Sequence, residues 1–292
     1  MRITGNRLID LSSAATTKAQ NSVGAVSAQL SSGLRFTTPS DDPAAWLAAQ
    51  RTKVRQALSQ GSGAAVATSR DRLTVTDNSL AQLGDIVSQI QTLAVQGSSD
   101  SYNANNRAGL GAEVHGLFLA ALDSANAQGN DGEFLLGGNT SLTAPFDAGG
   151  VYHGDAAVRS VPGNASLTAG VTISGASLTA AHGVDVMPLL GRVATALSNN
   201  DMPTLLAALP DLATAVKQIS LARSQGGAAM NALDQTTAAR SVLEQDMTAA
   251  ISRYTEVDSV AAASDLAKAS QSLEISRAVA AHIISLLDPS TR

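Results

Sequence analysis

The chain contains no cysteine, which removes disulfides, thiolate metal ligands and thiol nucleophiles together and leaves the redox compartment open. Aromatics are almost as scarce: one Trp, three Tyr and four Phe among 292 residues are few for an ordinary globular core. Ala, Ser, Leu and Thr dominate instead, and such small side chains suit slender helix-on-helix packing, where backbones approach closely. Basic charge is also short. A formal net charge of −5 offers no footprint to neutralise phosphates, so nucleic-acid binding is not expected. The densest basic run, Arg51, Lys53 and Arg55, reads as a solvated helix face. The apolar stretch from Ala278 to Leu287 is too short to span a bilayer, and Met1 to Arg7 lack the apolar core of a cleavable signal peptide, so neither a membrane anchor nor export by that route is expected. His115, His153, His182 and His282 are scattered, and no set of nucleophile, base and orienting group can be assembled around them. No catalytic residue, metal ligand or cofactor is therefore expected.

What is present is long helical pattern on either side of a joint. In Leu30-Ser-Ser-Gly-Leu-Arg-Phe-Thr-Thr-Pro-Ser-Asp-Asp-Pro43, Gly33 can take the positive φ of a C-terminal cap, and Pro39 and Pro43 forbid a continuous helix. Ser40, Asp41 and Asp42 offer N-cap oxygens, and Pro43 suits a first helical position because its missing N–H would have had no partner there. Two adjacent aspartates could suggest catalysis, but no His or third acid lies nearby, and capping is the better reading.

Before the joint, Leu8, Leu11, Ala15, Val23, Val26 and Leu30 give residues 3–30 a thin apolar stripe, predicting a helix of about 40 Å that is marginal in water without a partner. After it, Leu73, Thr76, Leu80, Leu83, Val87, Ile90 and Ala94 alternate steps of three and four, predicting a coiled-coil seam in 43–97, with a bend or crossing at Gly61-Ser62-Gly63. A polar loop from Gly97 to Asn106 precedes a third helix carrying Leu110, Val114, Leu117, Ala121 and Ala125. From Gly129 the pattern changes to short pieces, Glu133 to Leu136, Val151 to His153, Ala157 to Val161 and Val171 to Ile173, set between Gly- and Pro-containing breakers, which predicts a small inserted antiparallel β subdomain. Helix resumes near Asp185, with Leu189, Leu190, Val193 and Leu197 on one face. After a break at Asn199-Asn-Asp201, Leu205, Leu209, Leu212, Val216 and Ile219 carry the stripe, with a kink expected at Pro210. Leu266, Leu273, Ala280 and Leu287 sit seven apart, with Ala269, Ser276 and Ile283 between them, predicting a last long helix with a heptad stripe.

The fold expected is mainly α: a long antiparallel helical coiled-coil rod formed by both chain ends, with the inserted β subdomain between. Its divisions are an N-terminal axial helix and joint at 1–42, rod segments at 43–130 and 185–253, the insert at 131–184 and a C-terminal axial helix at 254–292. Stripes so poor in large side chains leave a two-helix pair under-buried on its own, so neighbouring molecules are expected to complete it.

Gln29-Leu-Ser-Ser-Gly-Leu-Arg35 followed by Pro39-Ser-Asp-Asp-Pro-Ala-Ala45 resembles the N-terminal signature of the bacterial flagellin family. Arg223 with Gly226 or Gly227 and Asn231, then Arg253, Val257, Asp258 and Leu286-Leu-Asp288, are similar to that family's C-terminal half, and Tyr152-His-Gly-Asp155 to a turn of its β region. The resemblance implies a structural subunit of the bacterial flagellum, not an enzyme, that polymerises axially through its terminal helices and joins hook to filament. A filament-forming flagellin is the alternative, and a surface enzyme or carbohydrate-binding module centred on His153 and Asp155 is a weaker one. The implied partners are the first hook-associated protein, flagellin, further copies in a lateral ring and an export chaperone. The implied location is the extracellular flagellum, reached without a cleaved signal. The residues expected to form the joint and assembly interface are Leu30, Gly33, Leu34, Arg35, Pro39, Asp41, Asp42, Pro43, Leu266, Leu273, Ile283, Leu286 and Leu287.

Overall fold

In the computed structural model, residues 5–164 and 167–287 are described, with side chains at 7–160 and 170–285. Six long helices follow in order: α1 (Gly5–Ser32), α2 (Pro43–Gly97), α3 (Ala104–Ala125), α4 (Val186–Ser198), α5 (Met202–Thr255) and α6 (Ser259–Leu287). Between α3 and α4 lie one hairpin, β1 (Ser160–Asn164) with β2 (Leu167–Gly170), and two short 3-10 turns. The described residues gather into two compact units, one from 1–58 and 243–292, the other from 59–242, with α2 and α5 running through both.

In the unit of 59–242, the α2 stripe from Leu73 to Ala94 is buried at every predicted position. An unbroken alternation of three and four keeps one face turned to a partner along the whole helix. That partner includes α5, whose Leu205, Ala208, Leu212, Ala215, Ile219 and Ala222 are buried. The two helices run antiparallel: Arg223 forks onto both oxygens of Asp77 at 2.9 and 3.1 Å, and Arg70 reaches Asp234 at 2.8 Å. α5 contains an apolar window long enough to cross a membrane by composition, but these inward residues make it a core helix here. α4 is buried along Val186, Leu189, Leu190, Val193 and Leu197 and packs against α3. A Cβ at Gly111 would lie 2.7 Å from the backbone nitrogen of Ser198, so only glycine admits that approach.

The helices add detail at three places. Gly61-Ser62-Gly63 does not interrupt α2, which is continuous from Pro43 to Gly97. It makes room instead for buried Arg240, whose Nη1 donates to Ser62 Oγ at 2.7 Å, and a Cβ on Gly63 would come within 2.7 Å of Nη2. Pro210 does not end α5. It lies on the exposed face, where water can satisfy the Leu206 carbonyl that lost its donor. Conversely, α5 and α6 are separated at 256–258 without any proline or glycine.

One expectation needs correction, and it concerns the insert. An antiparallel β subdomain does not form: among the described residues the only sheet is the β1–β2 hairpin, and Phe134 and Tyr152 make isolated bridges to Gln128 and Phe146. Left-handed glycines at 132, 138 and 150 repeatedly turn the backbone out of extended conformation. The segment is held by side chains instead. Arg72 donates to Asp131 at 3.0 Å, Glu133 at 3.1 Å and the Phe134 carbonyl at 2.9 Å, and Arg159 joins Glu133 to Ser141. Leu136, Phe146, Val171, Ile173 and Leu178 enter the same hydrophobic core as the helices, so the insert is a loop layer of this unit.

Candidate assembly surface

In the unit of 1–58 and 243–292, α1 packs along α6, antiparallel because the end of α1 meets the start of α6. Ala262, Leu266, Ala269, Leu273, Ser276, Ala280 and Ile283 form the inward side of α6, a heptad in which only Ala262 is fully buried. On α1 the inward side is Ser12, Thr16, Ala19, Val23, Val26 and Leu30, with Ala19 the buried member. Predicted Leu11 and Ala15 are displaced by Ser12 and Thr16, and the Ser12 hydroxyl is enclosed without a hydrogen-bond partner. Leu266, Leu273 and Ile283 thus sit half-buried in the seam between the two helices. Leu286 and Leu287 close α6, but their side chains and Asp288 lie outside the described residues.

The apolar side chains left in solvent are others. Leu8, Ile9 and Leu11 on α1 and Val260, Ile275, Val279 and Ile284 on α6 are 37–80% exposed. Burying each against a partner would contribute about 1.5–3 kcal/mol. Sequence reasoning singled out Leu8 and Leu11 as inward and passed over Ile275, Val279 and Ile284. Their signal is legible only once the seam heptad is assigned.

The joint ties both connections of this unit together. Gly33 takes φ 71° and its N–H closes α1 on the Gln29 carbonyl at 2.9 Å. Across the joint, Arg35 N–H donates to the Thr255 carbonyl at 2.7 Å and Val257 N–H to the Gly33 carbonyl at 3.0 Å, with Leu34 bridging Glu256. Asp41 accepts from the N–H groups of Thr37 and Thr38 at 3.0 and 2.9 Å. Asp42 caps α2 by accepting from Ala45 N–H at 3.0 Å and pairs with Arg35. Backbone donors hold the Asp41 carboxyl below its usual value, and Ala45 N–H, then Arg35, do the same for Asp42. Phe36 is buried against Ala45, Ala49 and the edge of Trp46. Pro39 is exposed in the connecting turn, and Pro43 takes the first position of α2. Asp258 caps α6 through the N–H groups of Val260 and Ala261 at 3.0 and 3.1 Å. This second cap replaces the missing breaker at 256–258.

Among the described residues no catalytic constellation is assembled around the histidines. His153 pairs with Asp147 at 2.9 Å, while Asp155 is occupied by Asn139 and Ala157 N–H groups. Gly154 lies under the Tyr152 ring, where a Cβ would meet the hydroxyl at 2.4 Å, which explains the Tyr-His-Gly-Asp spacing by packing. Among the described residues no cluster of His, Asp and Glu could hold a metal.

A helical protein with paired terminal helices, a capped joint and a β-containing insert is the class that these elements define. Residues 9–141 match the bacterial flagellin N-terminal helical region, a match that takes in a little under half of the chain. Within that class it resembles flagellar hook-associated protein 3. It is 29% identical to that protein of Salmonella typhimurium over 157 residues, 53% of this chain and 49% of the relative. To that of Escherichia coli it is 30% identical over 131 residues, 44% of this chain and 41% of the relative. The chain thus spans about half the length of the curated relatives it matches. The fold is shared with a flagellar hook-associated protein of Vibrio parahaemolyticus, at TM-score 0.68 and 18% identity over 74% of this chain and 100% of that one. It is also shared with the flagellar hook associated protein-3 of Legionella pneumophila, at TM-score 0.62 and 15% identity over 70% of this chain and 98% of that one.

Proposed function

We propose that the chain is a structural subunit of the bacterial flagellum that joins hook to filament, polymerising axially through α1 and α6. One observation carries the reading: the α1–α6 seam fully buries only Ala19 and Ala262 and leaves Val23, Val26, Leu30, Leu266, Leu273 and Ile283 half-buried, while seven more apolar side chains face solvent on the same two helices. A pair built this way gains its missing burial from neighbouring molecules. The role is mechanical and involves no reaction. Its partners are the first hook-associated protein on one side, flagellin on the other, further copies laterally, and an export chaperone before assembly. Leu30 to Pro43 set the angle at which α1 leaves the rest of the chain, and the protein works outside the cell after export without a cleaved signal.

A junction subunit must fit two different surfaces, so its self-association is weak. The exposed His282, on the solvent side of α6 with Ile275 and Val279, gives up self-pairing energy, as polar insertions in coiled-coil seams do. A deletion strain is expected to keep its hooks and release unassembled flagellin into the medium. Purified protein seeded with its own fragments at high salt is expected to stay monomeric or form short oligomers under electron microscopy. Long regular filaments from this protein alone would assign it to the filament, and intact filaments in the deletion strain would remove the junction role.

A further inference from the structure

Arg35 is exposed, yet it holds the ends of three helices. Its carbonyl accepts from Gln29 Nε2 in the last turn of α1 at 2.8 Å. Its N–H donates at 2.7 Å to the carbonyl of Thr255, the last residue of α5, and its guanidinium pairs with Asp42 ahead of α2. Two residues earlier, the Gly33 carbonyl accepts from Val257 N–H at 3.0 Å, so 33–35 and 255–257 run side by side with Leu34 bridged to Glu256. Segments far apart in sequence are thereby held by two backbone bonds.

Each side of this ladder runs directly into a helix cap. Val257 precedes Asp258, whose Oδ1 accepts from Val260 and Ala261 N–H at the start of α6. Arg35 pairs with Oδ2 of Asp42, whose Oδ1 accepts from Ala45 N–H at the start of α2. Phe36, the next residue, is buried on Ala45 and Ala49 beside Trp46. The caps of α6 and α2 are therefore joined by one series of contacts, from Asp258 and Val257 through Gly33 and Arg35 to Asp42. Exposed bonds of this kind are individually weak, because water replaces each of them at little cost. They support one another because the entropy of bringing the two segments together is spent once for the whole set.

We propose that Arg35 is a latch coupling the two caps, so that the starts of α2 and α6 are ordered or released together. When the Asp258 cap is lost, 255–257 fray with the first turn of α6. Arg35 and Gly33 then lose their backbone partners, and the guanidinium no longer holds the Asp42 carboxylate over Ala45. The path runs equally in reverse, since a coupling free energy between two sites is reciprocal. Arg35 acts here as a positioning residue. Its effect is that α1 and α6 are attached through connections that open as one, so displacing either helix is felt by the other. The latch is made of contacts within one molecule and holds whatever α1 and α6 assemble with.

Residue-resolved hydrogen exchange on the full-length chain tests it. Asp258→Ala should speed exchange roughly 5- to 30-fold at Val260 and Ala261, whose acceptor it removes, and several-fold at Arg35 and Ala45 as well. Asp42→Ala should speed exchange at Ala45 and, from the other end, at Val257 and Val260. The two alanine variants read the coupling in opposite directions, so either one suffices. Arg35→Met keeps the backbone bonds and the aliphatic stem but deletes the guanidinium. In that background Asp258→Ala should still act on Val260 and Ala261 and no longer on Ala45, a non-additivity that a double-mutant cycle measures. Asp258→Asn, which keeps a capping oxygen, should stay near wild type at both ends, and Arg35→Lys should restore part of the transmission. Circular dichroism, with fluorescence of Trp46 as the chain's one tryptophan, checks that each variant is folded. Effects confined to the mutated cap would overturn the coupling, and transmission undiminished in Arg35→Met would overturn the part assigned to Arg35.

Discussion

Gly33 separates conformational strain from crowding, because no heavy atom lies within 4 Å of the position a Cβ would take there. Any penalty for a side chain must then come from φ 71° itself. An L residue in that region costs about 1–2 kcal/mol, with Asn at the low end and a β-branched residue at the high end. The expected order of harm is Asn, then Ala, then Val. The cost falls on the joint, since the Gly33 carbonyl accepts from Val257 N–H and the next residues carry the Arg35 to Thr255 bond. Hydrogen exchange at the amides of Arg35 and Val257 reads local opening directly. A loss of about 1–2 kcal/mol accelerates it roughly 5- to 30-fold, so Gly33→Val should sit near the upper figure and Gly33→Asn close to wild type. Cells carrying Gly33→Val should hold their filaments poorly. Unchanged exchange in Gly33→Val would refute the account, and so would Asn as damaging as Val, because strain in φ could not then be the cause.

Two further outcomes follow from named contacts. Asp41 and Asp42 have folded pKa values below the ordinary 3.8, so their stabilisation is complete above that value and is lost as pH falls below it through the folded values. Exchange at Ala45 N–H should rise in that acid window, and Asp42→Asn should flatten the pH dependence; a profile unaffected by Asp42→Asn would contradict the capping role. In α3, Gly111→Ala should destabilise the chain by about 1–3 kcal/mol in urea unfolding because its methyl would crowd the Ser198 backbone. Gly109→Ala, which meets nothing within 4 Å, should be neutral or gain about 0.5–1 kcal/mol from helix propensity. Equal effects of the two would show that the α3–α4 approach is not tight.

The residues read most surely from sequence were those whose partners repeat at a fixed period. The α2 seam from Leu73 to Ala94 and the α6 stripe through Leu266, Ala269, Leu273, Ser276, Ala280 and Ile283 needed only the heptad, and both face inward. The caps at Asp42 and Gly33 were legible because each depends on its own few neighbours. The insert was misread because short apolar pieces between glycines look like strands whether they pair with one another or drop singly into a helical core. Leu136, Phe146 and Ile173 do the latter, and Arg72, which holds the segment, comes from a distant helix. No proline or glycine marks the break at 256–258, where the Asp258 cap and a bond from Val257 N–H to the Gly33 carbonyl, more than two hundred residues away in sequence, end one helix and start the next.

The α1 stripe failed in a more informative way. A periodicity argument assigns the largest apolar side chains to the inside, which holds when a helix has all its partners within one chain. In α1 the inward side instead takes Ser12, Thr16 and Ala19, while Ile9 and Leu11 are 41% and 60% exposed. The small side chains let α6 lie close, and the large ones are kept for contacts that a single chain does not supply. On the proposed reading those contacts are made in the flagellum, so the same pattern that misleads a monomer-based reading marks the surface on which assembly depends. Leu11→Ser and Ile275→Ser should therefore leave the unfolding of the isolated chain nearly unchanged, within about 0.5 kcal/mol as for other exposed sites, while reducing filament attachment in cells. Substantial destabilisation of the monomer would show instead that these side chains already have their partners within one molecule.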